Sequence, residues 1–133
     1  MIKLGNFQMT TVLCDFIKIT GDGETLIVDV QGGQALPNFN TGGRRADQTA
    51  LLVYSVKNVV GAPQVFINGK KVGTITATLP NGSASLLNDI YFMQSIEVQG
   101  NEIKDGQPNK IVVKNVTQPS TIKNVNLFFH QND

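Results

Sequence analysis

Residue types that do chemistry are sparse in this chain, so their placement decides what can be asked of it. His130 is the only histidine. Any Ser-His-Asp arrangement would rest on it alone, and no G-x-S-x-G elbow or phosphate-cradling G-x-x-x-x-G-K run accompanies it. Paired carboxylates for glycoside hydrolysis usually sit on larger scaffolds with aromatic subsites. The expectation is a chain with no catalytic activity. The single cysteine, Cys14, rules out an intramolecular disulfide and leaves no structural zinc set; it reads as a small buried hydrophobe.

Polar chemistry gathers in one stretch instead. From Gly32 to Gln48, GGQALPNFNTGGRRADQ, every periodicity breaks, and the only adjacent arginines of the sequence lie there. Loops of this length without regular structure often carry function. Asn38, Asn40, Arg44, Arg45, Asp47 and Gln48 supply guanidinium, amide and carboxylate groups suited to sugar hydroxyls or a carboxylate, and Phe39 could offer an apolar face. These seven residues form the candidate ligand-binding set. On this reading, Arg44→Ala with Arg45→Ala weakens a ligand and leaves the melting temperature unchanged.

The elements that must hold such a loop are strands. Between Ala62 and Leu79, Val65 and Ile67 alternate with Phe66, and Gly73, Ile75, Ala77 and Leu79 alternate with threonines, which is the period of paired strands. Asn68-Gly69 between the runs accepts positive φ cheaply, so a tight hairpin is expected. Dense apolar residues from Met1 to Ile19 read as one or two strands. Thr25 to Gln31 reads as a strand with Leu26, Val28 and Val30 inward and Ile27 outward. Thr49 to Val60 is apolar on both faces and therefore central in its sheet. Ser83 to Gln94 fits a helical stripe through Leu86, Ile90 and Met93, while Ile90 to Met93 could equally start a strand; a short helix across a sandwich edge is preferred. Strands follow at Ser95 to Gln99, through Ile111 to Val113, and from Ile122 to His130, where Val125, Leu127 and Phe129 alternate with Asn124, Asn126 and Phe128.

Together these give about eight strands with at most one short helix: an all-β, antiparallel two-sheet sandwich, one domain over residues 1–133. Hydrophobic residues make up 41% and charged residues 16% of the chain, with a formal net charge of +1. That composition supports a packed core, and it offers no electrostatic footprint for nucleic acid or an anionic membrane. No run approaches the ~20 apolar residues of a membrane span or the apolar core of a signal peptide, so the expectation is a soluble, cytoplasmic protein. Two sequons, at Asn81 and Asn115, matter only in a secretory pathway.

The phrases VFINGKKVGTI, IEVQG, IKDGQPNKIVV and TIKNVNLFF, in that order between Gln64 and Phe129, resemble the galactose-binding-like jelly roll of carbohydrate-binding modules. The resemblance implies weak recognition of a glycan or other polar small molecule through loops. It also implies a structural calcium, with Asp22, Glu24, Asp47 and Asp89 as candidates by residue type, and no other cofactor. Such modules stack sugars on exposed Trp or Tyr; this chain has no Trp, and its only tyrosines are Tyr54 and Tyr91. The alternative is a structural subunit of phage or surface-appendage type that forms a homo-oligomer. Low charge and two apolar residues expected on outer faces, Ile27 and Phe128, point that way.

Overall fold

A computed structural model describes residues 3–4, 7–8, 13–79 and 89–131. The strands are β1 (Lys3–Leu4), β2 (Phe7–Gln8), β3 (Leu13–Lys18), β4 (Thr25–Ile27), β5 (Gln34–Ala35), β6 (Phe39–Asn40), β7 (Thr49–Lys57), β8 (Gln64–Ile67), β9 (Lys70–Thr74), β10 (Phe92–Gln99), β11 (Pro108–Asn109), β12 (Ile111–Lys114) and β13 (Ser120–Gln131). One sheet runs β10-β7-β13-β3, with β4 also on β13; the other runs β5-β12-β8-β9. Among the described residues all pairings between these strands are antiparallel, and one isolated bridge, Thr41 with Asp105, is parallel.

The order has a simple origin. Strands before the Asn68-Gly69 turn pair with strands after it: β8 with β9, β7 with β10, β6 with β11, β5 with β12, and β3 and β4 with β13. From β3 onward the chain is thus one antiparallel ribbon doubled back at a hairpin and rolled, so that successive pairs fall in alternate sheets, apart from β6–β11, which forms a two-stranded sheet of its own. That is the jelly-roll order, in which two sheets, here one of five strands counting β4 and one of four, close over one core. The hairpin is the fold-back point of the whole ribbon. Its Asn68 and Gly69 take φ of 52° and 84°, the left-handed values a two-residue turn demands.

Between the sheets lie Leu52, Tyr54 and Val56 of β7, Val125 and Leu127 of β13, and Ile96 and Val98 of β10. They face Val65 and Ile67 of β8 and Ile111 and Val113 of β12, in one contiguous cluster. β7 pairs on both sides, with β10 and β13, as its apolar composition led one to expect. In β13 the alternation slips once. A bulge at Lys123–Asn126 and a positive φ at Asn124 let both Ile122 and Val125 face inward.

Three expectations are corrected. The strand read over Thr25–Gln31 stops at Ile27, and its faces are reversed: Ile27 is buried and Leu26 is 57% exposed. Pairing decides this, since Ile27 lies opposite buried Ser120 and Leu26 opposite Thr121; a one-residue change of register swaps every side chain. Of the two readings of Ser83–Gln94, the preferred helix gives way to the strand starting within 90–93: β10 begins at Phe92, with Gln94, Ile96 and Val98 in its inward phase; residues 83–88 lie outside the described set. The second hairpin strand ends at Thr74 rather than Leu79. Past it the Gln94 side chain stands in for a strand, with Oε1 accepting from Thr76 N (3.0 Å) and Nε2 donating to Thr76 O (2.9 Å).

Candidate functional site

The stretch 32–48 is docked rather than open. Phe39 and Asn40 form β6 against β11, and Phe39 is 5% exposed, so its ring belongs to the core and offers no apolar face. Arg44 Nε donates to the Ile103 carbonyl (2.6 Å), and the Arg45 backbone N–H donates to the His130 carbonyl (2.7 Å). The Arg45 guanidinium bonds both Asp47 carboxylate oxygens (3.2 and 3.0 Å), which holds Asp47 below the ordinary carboxylate range. Gly43 N–H donates to Asp105 Oδ1 (2.6 Å). Gly100 lets the loop seat this closely: a methyl there would stand 2.3 Å from the Gln48 carbonyl oxygen.

Beneath the loop sits buried Asn109. Its Oδ1 accepts from Asn68 Nδ2 (2.8 Å) and Lys104 N (2.7 Å), and its Nδ2 donates to the Lys104 and Gln107 carbonyls (3.1 and 3.2 Å). Of the seven candidate residues, Asn38, Asn40 and Asp47 are exposed, Gln48, Arg44 and Arg45 are half-buried, and Phe39 is buried. Two of them, Arg45 and Asp47, meet side chain to side chain. Because Arg44 is bonded to the 103 carbonyl, the double arginine substitution is now expected to lower the melting temperature, reversing the sequence-based expectation. The four acidic residues named for calcium are dispersed: among the described residues no three His, Cys, Asp or Glu side chains gather as a metal set.

A different surface concentrates apolar side chains. On the outer face of the β10-β7-β13-β3 sheet, register places Phe16, Phe128, Leu51 and Glu97 in one cross-strand row. Lys18, Asn126, Val53 and Ser95 form the next row, followed by Lys123, Ser55 and Met93, and then by Leu26, Thr121 and Lys57. Phe16 stacks on Phe128 with ring centroids 5.6 Å apart. Exposures are 52% for Phe16, 44% for Phe128, 37% for Leu51, 57% for Leu26 and 77% for Met93. Five of the eight exposed large hydrophobics among the described residues therefore share this face, a clustering that single exposed apolar residues do not show. A shallow depression there is lined by Leu51, Val53, Met93, Asn126 and Phe128. The other sheet differs: its outer Phe66 lies under Lys114 Nζ, 4.6 Å from the ring centroid.

One end of the apolar face is closed by Tyr91. Lys123 and Lys57 place Nζ 4.0 and 5.0 Å from its ring centroid, its hydroxyl donates to Glu24 Oε2, and Lys57 pairs with Glu24 at 3.3 Å. Desolvation, then the bond to Glu24, pushes the Tyr91 phenol up to about 12; the same bond, with Lys57, lowers Glu24. Of the outer-face residues, reasoning from sequence singled out Phe128 and missed Phe16, Leu26, Leu51 and Met93. The signal is present in β7, whose apolar outer residues Leu51 and Val53 read as buried within a central strand.

No family model matches the chain, and no curated protein matches it. Among solved structures it is similar to a chain in a structure of the infectious bursal disease virus Gt strain, at 14% identity and a TM-score of 0.40. The likeness covers 90% of this chain and 32% of that one. This chain therefore spans about a third of that neighbour's length, and no functional reading rests on the likeness.

Proposed function

We propose that this chain is a non-catalytic structural subunit that self-associates through the outer face of the β10-β7-β13-β3 sheet. The observation that carries the reading is the exposed row Phe16–Phe128–Leu51, with Leu26 and Met93 on the same face. Covering such side chains removes apolar surface from water at ~25 cal/mol per Å². The face spans four strands, about 15 Å between outer strand axes, and about 20 Å along them. An interface of that footprint is at the small end of specific contacts, so the contact is weak and forms only at high protein concentration. Sedimentation velocity from about 10 μM to about 1 mM tests this. Mass should rise with concentration, and Phe128→Asp should hold the chain monomeric with an unchanged far-ultraviolet spectrum. A wild-type chain that stays monomeric at 1 mM sinks the reading.

A second reading, weak glycan recognition of the galactose-binding-like kind, is favoured by Asn38 and Asn40, which stay exposed within the docked loop. Glycan-array binding lost on Asn38→Ala with Asn40→Ala would support it, with or without calcium. Flat responses to all sugars would remove it.

A further inference from the structure

We infer that the partner covering this face is a second copy of the chain, related by a two-fold axis running along the strands, so that the β3 edge of one copy lies over the β10 edge of the other. The inference deepens the proposed self-association and rests on it. Two independent features of the face select this axis.

The first is charge. Lys18 on β3 and Glu97 on β10 are exposed, point to the same side as Phe128, and flank the apolar rows at opposite edges of the sheet. Rotation about an axis parallel to the strands exchanges the two edges, which carries Lys18 of each copy toward Glu97 of the other and forms the pair twice. Their rows differ by one step, about 7 Å along the strand, a distance a lysine stem spans. The other in-plane two-fold, across the strands, returns each edge to its own kind. It would set Lys18 of one copy near Lys18 of the other, and juxtaposed like charges disfavour an interface.

The second feature is apolar. The two most exposed large hydrophobics of the described residues are Met93 at 77% and Leu26 at 57%. They sit at one end of the face on opposite edges, Met93 on β10 opposite Ser55 and Leu26 on β4 opposite Thr121. The same rotation brings each toward the other copy's counterpart, and it lays Phe128 of β13 over Leu51 of the facing β7. The same rotation sets Lys123 of each copy one row from Lys57 of the other, where both amines stay over the Tyr91 ring and Lys57 stays paired with Glu24; one operation thus covers the apolar side chains and pairs Lys18 with Glu97. Such a contact is isologous and closes on itself.

Charge reversal tests the axis. In sedimentation experiments at about 50 mM salt, Lys18→Glu and Glu97→Lys should each weaken association about tenfold, since each introduces two repulsive contacts in the dimer. The double variant Lys18→Glu with Glu97→Lys should return to within about threefold of wild type. Failure of the double variant to recover, or single variants that associate normally while Phe128→Asp still dissociates, overturns the axis and leaves the face as the contact. Association unaffected by Phe128→Asp removes both the axis and the face.

Discussion

A methyl group on Gly100 would meet the carbonyl oxygens of Gln48 at 2.3 Å and Arg45 at 2.4 Å, both backbone atoms that cannot swing away. Gly100→Ala should therefore cost about 3 kcal/mol, as overpacking against fixed backbone does. Gly42→Ala, in the same loop with nothing within 4 Å of the added carbon, should be neutral; urea unfolding of the two variants measures the contrast. Tyr54 offers a second test at this scale. Burial pushes its phenol up to about 12 from 10.0, and its hydroxyl donates to Gln94 Oε1 at 3.2 Å. The folded-state value exceeds the unfolded one, so the unfolded chain gives up its proton first. The contribution is complete below pH 10 and is lost as pH rises from 10 toward 12. Tyrosinate absorbance should stay flat through pH 10 in the folded protein, and its melting temperature should begin to fall there.

Among the elements, the β8–β9 hairpin carries the most, because the whole ribbon folds back at it. Asn68 serves it twice: its backbone takes positive φ, and its side chain accepts from Lys110 N (3.0 Å) while donating to the Glu102 carbonyl (3.1 Å) and Asn109 Oδ1 (2.8 Å). Replacing Asn68 by Ala removes three bonds and adds left-handed strain, an expected loss of about 3 kcal/mol. Asn68→Gly removes the same bonds without the strain and should lose about 1 kcal/mol less, so the pair separates turn conformation from the amide network. Chemical denaturation of both variants reads the difference.

At the scale of the molecule, one core cluster draws residues from both sheets, and every principal pair except the central hairpin joins segments far apart in sequence. Such a core has no half that retains its contacts when the other opens. Unfolding should be a single transition, with far-ultraviolet dichroism, tyrosine fluorescence and calorimetry giving coincident midpoints. Separate midpoints would show that the two sheets do not form one cooperative unit.

Alternation by itself determined the strands that matter most: β7 as a central strand, the inward set Val125, Leu127 and Phe129, the outward Phe128, and the hairpin at Asn68-Gly69, because period two and turn chemistry are local properties of the chain. Tertiary pairing decided the rest. The faces of β4 follow from which residue of β13 each one meets, and a lone Ile27 among Leu26, Val28 and Val30 gave no local sign of it. The loop at 32–48 looked free because its composition is that of a loop; the carbonyl of Ile103 and the side chain of Asp105 that hold it are 59 and 62 residues away. Likewise, Phe16, Leu51, Met93 and Leu26 each looked like core residues one at a time. Only the order of strands across the sheet brought them to one outer face, since which side of a sheet is covered depends on the layer packed against it and not on the strand itself.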